Sequence, residues 1–375
     1  MTQNVHCEGC TPLMCVAVSA IAPPRQRSLI RSASSTGVAV FSEVVAQSLA
    51  HIWIEVDNTN TTSSELDCVP CTLPLPANVG TVVVRFGDKI ATISGVSLGP
   101  ISRVRYEGSP SIVEIRGTAE WKTKAAIQKI LSVKLKGFNC VATVGDYFVA
   151  RHRSLSTIDL SPLSNVTQIG DEFLEGCSSL KVIDLYPLRN VTSIGDGFLS
   201  GCLSLTTVDL LPFSNVTRVG GSFLGKCKSI NTIDVSPLRN LTRIWYQFLW
   251  GCSSLQNVSF SALGNITSIA DDFMEKCTSL TSIDISEFKR VTQIRDRFLI
   301  GCSSLTSINL TSLSQVVAVG DCFLSGCTSL EDVDITPLKN VTSVGGDFME
   351  GVSLQPPTNM DQFSPEMAEA LHVHK

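Results

Sequence analysis

The chain has 375 residues, 43% of them hydrophobic, and its 17% of charged residues is low beside the roughly 25% usual in soluble domains. The net charge of −5 argues against general nucleic-acid binding, which needs a basic surface facing the phosphates. No apolar run reaches the roughly 20 residues that a helix needs to cross a bilayer, so no transmembrane segment is expected.

Residues 1–78 are irregular in sequence, and only one helix is predicted among them, over 41–56. The apolar stretch 13–22 is a weak candidate for a signal peptide, because no Lys or Arg precedes it and Pro23 and Pro24 follow it at once. The lack of a convincing signal peptide favours a cytoplasmic location.

Two C-x-x-C pairs stand in this irregular region beside one histidine: His6, Cys7, Cys10, Cys68 and Cys71. Such pairs hold zinc when the fold brings them together. A separation of 57 residues and the polar, irregular setting argue against zinc here. We therefore predict no metal site and no cofactor.

From Thr81 the sequence has β character. TVVVRF and KIATIS flank Gly87 and Asp88, which predicts a hairpin with a two-residue turn. SRVRYEG and SIVEIRG follow, joined at a Ser–Pro turn, and a helix-like AEWKTKAAIQKIL comes after them. We interpret 79–129 as a β-rich N-terminal cap for the repeats that follow.

The repeats are marked by cysteines and phenylalanines that recur every 25 residues after residue 170. They are Cys177, Cys202, Cys227, Cys252, Cys277, Cys302 and Cys327, and Phe173, Phe198, Phe223, Phe248, Phe273, Phe298, Phe323 and Phe348. Numbered from the apolar residue three places after each cysteine, the unit reads L-x-x-I-D-L-x-P-L-x-N-V-T-x-I-G-D-x-F-L-x-G-C-x-S. Full units begin at Leu155, Leu180, Leu205, Ile230, Leu255, Leu280 and Leu305, after a degenerate unit from Ile130 and before a shortened one from Leu330. Nine units thus span 130–354, and 355–375 form a C-terminal tail.

Within a unit, apolar positions 4 and 6 alternate with polar positions 3, 5 and 7, which predicts a short strand with one buried face. A turn at the position-8 proline and a return segment with one helical turn follow. Glycine is frequent at position 16, where we expect a positive φ. A single unit buries too little apolar surface to offset the entropy lost on ordering it, so the units must stack into a solenoid.

The strand sequence SLTSIDI (279–285) and the return sequence VTSIGDGFLSGCLSL (191–205) resemble the leucine-rich repeat, and most of all its BspA-like subclass of bacterial and protist surface or secreted proteins. The resemblance implies a β-rich α/β solenoid, a leucine-rich-repeat horseshoe of about nine 25-residue units. One departure is that asparagine stands at position 11 rather than position 9, so its turn hydrogen bonds must be made differently.

The cysteine at position 23 has three interpretations. A catalytic thiol is needed once, beside a base, whereas seven copies recur here with no histidine in 155–354. Zinc needs thiolates clustered around one ion, and disulfides between neighbouring units would leave one of the seven cysteines unpaired. We therefore predict a buried ladder in which cysteine acts as a small hydrophobic residue.

An aspartate row occupies position 5, on the outward side of the strands and on the expected concave face. Its members are Asp159, Asp184, Asp209, Asp234, Asp284 and Asp334, with Ser259 and Asn309 completing the row. Because aligned like charges repel, the row either accepts hydrogen bonds from Ser and Thr at positions 3 and 7 or binds a cationic partner. Calcium is a third option, although no loop gathers six oxygens.

Two units depart from the usual Gly-Asp pair at positions 16 and 17. One carries Trp245 and Tyr246 with Trp250 nearby, and the other carries Arg295 and Arg297. Exposed aromatic residues flanked by arginine are typical of interface hot spots, and local packing variation is the alternative.

The functional prediction rests on what remains once the repeat is accounted for. No nucleophile–base pair, phosphate loop or carboxylate pair remains, so no enzyme is predicted. We predict a monomeric, non-catalytic scaffold that binds a protein partner through the aspartate row or the aromatic and arginine positions. The family resemblance implies, as the alternative, a surface or secreted adhesin or antigen, and an accessory domain for an enzyme on another chain is a third option.

Six glycosylation sequons follow from the repeat itself and give little support to secretion: Asn165, Asn190, Asn215, Asn240, Asn265 and Asn340.

Overall fold

The computed structural model describes the backbone of the strands before residue 137 and then residues 141–331, 333–353 and 360–372. The chain forms two compact units, Met1–Leu188 and Arg189–Lys375. Both contain the short parallel strands of a β-solenoid, in which one repeat makes one turn, called a rung below. The first unit also has two antiparallel strand pairs, Thr2–Val5 with Ala39–Ser42 and Val16–Ala20 with His51–Val56.

The first unit contains fourteen strands in the part of the chain that the structure describes. They are β1 (Thr2–Val5), β2 (Val16–Ala20), β3 (Ala39–Ser42), β4 (His51–Val56), β5 (Cys71–Thr72), β6 (Thr81–Phe86), β7 (Ile90–Ile93), β8 (Val96–Ser97), β9 (Arg103–Glu107), β10 (Ile112–Ile115), β11 (Ser132–Lys136), β12 (Thr143–Val144), β13 (Thr157–Ile158) and β14 (Gln168–Ile169). Two 3-10 helices, Ser161–Leu163 and Tyr186–Leu188, lie in its last rungs.

Two ladders of strands organise this unit. Strands β2, β4, β6, β9, β11 and β13 are neighbours in that order, and every pairing among them except β2–β4 is parallel. Strands β7, β10, β12 and β14 run parallel in a second ladder. The chain therefore visits both ladders once in each turn, and this pattern extends across residue 130. The predicted division into 1–78, 79–129, 130–354 and 355–375 stays a prediction.

Two sequence predictions in this unit are wrong. The hairpin over 81–94 does not form, because β6 pairs with β9 and β7 with β10, each in parallel. Strands β6 and β7 therefore lie in different ladders. The helix over 41–56 is replaced by β3 and β4, and β4 has a strand partner on each side, β2 and β6. Alternating Ile52, Ile54 and Val56 favour such a strand. The helix-like sequence 119–131 and the side chains of the C-x-x-C pairs lie outside the described residues.

The second unit continues the repeat with eleven described strands: β15 (Ser193–Ile194), β16 (Arg218–Val219), β17 (Thr232–Asp234), β18 (Arg243–Ile244), β19 (Asn257–Ser259), β20 (Ser268–Ile269), β21 (Ser282–Ile283), β22 (Gln293–Ile294), β23 (Ser307–Ile308), β24 (Ala318–Val319) and β25 (Ser343–Val344). Their pairings are all parallel and join equivalent positions of neighbouring rungs. Its 3-10 helices are Leu211–Phe213, Ser236–Leu238, Thr311–Leu313, Thr336–Asn340 and Met360–Gln362, and α1 spans Pro365–His372.

Most rungs thus have two strand positions, at 3–4 and 14–15, where the sequence pattern predicted one. The second strand was missed because two residues are too few to show an alternating pattern. Positions 1, 6, 9, 12, 15, 19, 20 and 23 fill the core, whereas position 4 is only half-buried in several rungs. The position-19 phenylalanines of the second unit stack at centroid distances of 5.1–6.3 Å, so a continuous aromatic column joins the rungs.

The return segment has a positive φ at positions 18, 20 and 22 in nearly every rung, mostly at residues other than glycine. This costly conformation is held by hydrogen bonds to both neighbouring rungs. In one rung the N–H of Gln247 donates to Asp271 O at 2.8 Å, and that of Leu249 to Phe223 O at 3.0 Å. The stack therefore determines a backbone that one unit alone would not adopt.

Glycine at position 16 allows close packing, and the predicted positive φ there is wrong. A Cβ on Gly320 would overlap the Asp296 carboxylate of the preceding rung. That carboxylate accepts a hydrogen bond from the N–H of Asp321 at 3.0 Å. Glycine fits at Gly320 because the carboxylate occupies the space that a side chain would fill. In the rung with Arg295 at position 16 the equivalent bond, from the N–H of Asp296 to Asp271 Oδ1, is longer at 3.2 Å.

Neighbouring glycines allow a matched test of this explanation. A Cβ at Gly345 would overlap the amide and carboxylate of Asp321, whereas one at Gly346 lies 4.0 Å from the same carboxylate. We expect Gly345→Ala to lower the free energy of unfolding by about 2 kcal/mol. Gly346→Ala should change it by less than about 0.5 kcal/mol. Urea denaturation of the two variants measures the difference, and equal stabilities would contradict the packing explanation.

The C-terminal tail forms a cap on the last rung, which the sequence pattern did not predict. Helix α1 packs against β25 and buries Phe363, Met367 and Leu371. Ser364 fixes the helix start, because its Oγ accepts the N–H of Met367 at 3.2 Å and donates to Val341 O at 2.7 Å. At eight residues, α1 is far too short to cross a bilayer, and no other described helix is longer.

Candidate functional site

Each aspartate of the position-5 row closes the turn that follows its own strand. Its Oδ1 accepts the backbone N–H of position 7, as in Asp209 with Leu211 at 2.9 Å and Asp234 with Ser236 at 3.0 Å. The same contact is made by Asp159, Asp184, Asp284 and Asp334. The expected donors at positions 3 and 7 were side-chain hydroxyls, but the main donor is a backbone amide because the Asx turn brings it closer. This contact lowers the pKa of Asp284.

Asn309 shows that the charge of the row is not needed for this turn. Its Oδ1 accepts the N–H of Thr311 at 2.9 Å, the same distance as in the aspartate turns. The fold therefore explains the carbonyl-type oxygen at position 5 but not the negative charge. The protein-binding role of the row stays a prediction.

A second aspartate ladder, at position 17, was not recognised in the sequence as a structural element. Asp196 Oδ1 accepts the N–H of Gly221 at 2.8 Å, and Asp321 Oδ1 accepts that of Gly346 at 2.8 Å. These bonds join neighbouring rungs, so the carboxylates act as rung-to-rung connectors. The signal was present in the sequence as the recurring Gly-Asp pair.

Two guanidinium groups lie near the Trp245 ring in the second unit. Arg218 Cζ is 5.7 Å and Arg243 Cζ is 5.3 Å from its ring centroid, both within the range of cation–π contacts. The two arginines occupy position 14 of successive rungs, in β16 and β18. Arg243 Nε also donates to Ser268 Oγ at 3.0 Å.

The other two aromatic residues lean over glycines of the preceding rung. The Tyr246 ring occupies the space beside Gly221, and the Trp250 indole occupies the space beside Gly225. Tyr246 remains 37% exposed, and its hydroxyl donates to Asp196 Oδ2 at 2.6 Å. Trp250 is half-buried under Lys226, whose Nζ lies 4.3 Å from the ring centroid. Arg218, Arg243, Trp245 and Tyr246 are called the aromatic–arginine surface below.

The two arginines singled out in the sequence, Arg295 and Arg297, do not flank these aromatic residues. Arg297 lies two rungs further along and donates from Nε to Asp272 Oδ1. Asp272 in turn accepts from Gln247 Nε2 at 3.4 Å, so Arg297 completes a polar ladder at position 18. Arg295 is exposed. The sequence analysis did not identify Arg218 and Arg243, because only the stacking of rungs shows that two residues 25 apart both lie near the Trp245 ring.

The cysteine ladder is confirmed as buried, with no exposure at the seven position-23 residues. Six of the seven thiols also form a hydrogen bond to a backbone carbonyl. Cys252 Sγ donates to Leu224 O at 3.2 Å, and five others contact the equivalent carbonyl: Cys177, Cys227, Cys277, Cys302 and Cys327. Burial raises the pKa of the thiols of Cys177, Cys252 and Cys327 to about 12. These thiols therefore stay protonated at neutral pH and are poor nucleophiles.

The asparagines at position 11 make the turn hydrogen bonds that the sequence left open. Asn240 Nδ2 donates to Ser214 O at 2.8 Å, and Asn340 Nδ2 to Ser314 O at 2.9 Å. Both acceptors lie in the preceding rung, so this asparagine connects rungs in place of one at position 9.

Comparison with known proteins identifies the family. The profile of the "BspA type Leucine rich repeat region" matches residues 142–263 and 242–364 in six copies, more than half of the chain. No curated protein matches the sequence significantly.

Similar solved structures are distant in sequence. The functional domain of InlJ from Listeria monocytogenes, described as including a cysteine ladder, is 12% identical with a TM-score of 0.40, covering 87% of this chain and 68% of its own. A leucine-rich cell surface protein from Faecalibacterium prausnitzii is 16% identical with a TM-score of 0.29, covering 82% and 95%. An internalin (InlF) from L. monocytogenes is 14% identical with a TM-score of 0.30, covering 86% and 92%. On the family match and its own repeat, the chain belongs to the BspA-type leucine-rich repeat family.

Proposed function

We propose that the protein is a non-catalytic scaffold that binds an acidic segment of a protein partner through its aromatic–arginine surface. The observation that carries the proposal is Trp245 with two guanidinium groups near its ring, those of Arg218 and Arg243. Tryptophan, tyrosine and arginine are the residue types that dominate binding energy at protein interfaces.

The surface is preorganised, which favours binding. Tyr246 is held by its hydrogen bond to Asp196, and Arg243 by its bond to Ser268. Side chains that are already fixed lose little conformational entropy when a partner binds. A rigid aromatic face flanked by planar cations thus offers both contact area and bidentate sites for carboxylates.

Local charge indicates the kind of partner. Residues 205–254 contain five basic residues (Arg218, Lys226, Lys228, Arg239 and Arg243) and two acidic ones (Asp209 and Asp234), a net charge of 5 − 2 = +3. The whole chain carries −5. Both of these aspartates belong to the position-5 row, where they close turns. At the surface itself, Arg218 and Arg243 bring two positive charges beside Trp245, and Asp196 brings one negative charge beside Tyr246. The surface therefore complements an acidic segment.

A fluorescently labelled octaglutamate peptide tests the surface before a natural partner is known. We expect the full chain to bind it in low salt, with affinity that falls as salt rises. The double variant Arg218→Ser/Arg243→Ser should weaken binding at least about tenfold, the equivalent of roughly 1.4 kcal/mol. Trp245→Ala should weaken binding even though it leaves the charge unchanged. Fluorescence anisotropy gives the affinities.

Gln293→Ala is the matched control, because Gln293 is an exposed position-14 residue two rungs from Arg243. It should bind as the wild type does. The proposal is overturned if the double arginine variant and Trp245→Ala both keep full affinity for the peptide and for every protein captured by the wild type.

A further inference from the structure

A groove of about 370 Å³ lies between two rungs of the second unit, at positions 5 to 10 and away from the aromatic–arginine positions 14 to 17. The polar groups that line it and bear on its chemistry are Asp284, Ser286, Lys289, Asn309, Thr311 and Ser314. Its volume is within the range of small-molecule sites.

The groove lies where two departures from the repeat coincide. Position 8, proline in five other units, is Glu287 in one of these rungs and Ser312 in the next. Position 5 of the second rung is Asn309, in a row otherwise made mostly of aspartate. Ser312 is buried and its Oγ donates to Ile285 O at 2.7 Å, so it ties the two rungs together.

The asparagine and aspartate present opposite hydrogen-bonding groups to the groove. Asp284 uses Oδ1 to accept the N–H of Ser286 at 2.9 Å, and Asn309 uses Oδ1 to accept the N–H of Thr311. The second carboxylate oxygen of Asp284 therefore remains an acceptor, and Nδ2 of Asn309 remains a donor. The Ser286 hydroxyl donates to the Asp284 carboxylate and so offers the groove only an acceptor, whereas the hydroxyls of Thr311 and Ser314 can act in either sense.

Lys289 adds a positive charge that has no ion-pair partner among the described residues. An aspartate at position 309 would repel an anion near this ammonium group, and Asn309 removes that charge. The groove therefore accepts one negative group beside Lys289, while the carboxylate of Asp284 disfavours a doubly charged phosphate.

We propose that this groove binds a carboxylated sugar unit. The ligand carboxylate would pair with Lys289, and neighbouring hydroxyls would donate to Asp284 and accept from Asn309. Such a ligand matches the alternation of acceptor, donor and hydroxyl groups, whereas a simple carboxylate would leave Asp284 and the hydroxyls unused. The site is independent of the protein-binding function proposed above.

Saturation-transfer NMR and calorimetry with methyl β-glucuronide test the site in the full chain. We expect a dissociation constant on the order of 1 mM, typical of a small polar ligand on an open groove. Methyl β-glucoside, which lacks the carboxylate, and acetate, which lacks the hydroxyls, should each bind at least about tenfold more weakly. Asn309→Asp restores the usual residue of the row, keeps the turn acceptor and should abolish binding.

Matched variants separate the groove from the rest of the repeat. Lys289→Met should abolish binding, and Lys339→Met, at the same position 10 in another rung, should not. Asp284→Asn should weaken binding, and Asp234→Asn should not. The inference is wrong if methyl β-glucuronide does not bind at about ten times the expected dissociation constant, that is at about 10 mM. It is also wrong if acetate binds as well as the glucuronide, or if the Asn309→Asp variant binds the glucuronide as the wild type does.

Discussion

Raising the pH from 9 to 10 is expected to lower the free energy of unfolding of the reduced protein by roughly 6 kcal/mol, about 1 kcal/mol for each of six ladder cysteines. Burial raises the pKa of the thiols of Cys177, Cys252 and Cys327 to about 12, and raises those of Cys227, Cys277 and Cys302 as well. The native state therefore keeps six protons that the unfolded chain releases from about pH 8.5 upward.

The direction follows from proton linkage. Above the thiol pKa of the unfolded chain, the unfolded state binds fewer protons than the native state, so stability falls as the pH rises. The contribution is fully present at neutral pH and is lost progressively towards the folded pKa near 12. Urea denaturation under a reducing agent at pH 7, 9 and 10 measures it.

The variant Cys252→Ala isolates the role of one thiol. Removal of the buried side chain and its contact with Leu224 O should lower the stability at pH 7 by about 1–2 kcal/mol. The same variant should lose about 1 kcal/mol less than the wild type between pH 9 and 10. An identical pH dependence in the two proteins would assign the alkaline loss to other groups and refute the explanation.

Substitution of Met367 by aspartate is expected to open the C-terminal end of the solenoid. Met367 has no exposed surface, and with Phe363 and Leu371 it covers the last rung. A carboxylate there must be desolvated or must release helix α1, and we expect a loss of about 4 kcal/mol. The uncovered rung has unpaired strand edges, so the variant should also associate as its concentration rises.

Glu369→Ala is the control for the cap, since Glu369 is an exposed residue of the same helix. Its stability should stay within about 0.5 kcal/mol of the wild type. Urea denaturation gives the stability, and sedimentation velocity over a range of concentrations gives the association. A Met367→Asp protein that is as stable and as monodisperse as the wild type would show that α1 does not cap the core.

The 25-residue interval was enough to identify the solenoid, the buried cysteine column and the core phenylalanines. The reason is that a repeat places each equivalent side chain in the same environment, so one pattern is read many times. Phe248 and Cys252 could be assigned to the core from this interval alone, and both are buried.

Only the tertiary structure decided how neighbouring rungs meet. Sequence reasoning treats residues 25 apart as equivalents, whereas in the solenoid they are neighbours that touch. The space that favours glycine at Gly320 is set by Asp296 of the rung before, and the environment of Trp245 comes from Arg218 of the rung before. The turn at Asn309 is local and could be read from its own rung, but the groove beside it exists only because Asp284 and Lys289 stand on the neighbouring rung. The period and the apolar positions of the unit can thus be read from the sequence, whereas the contacts between units need the stack itself.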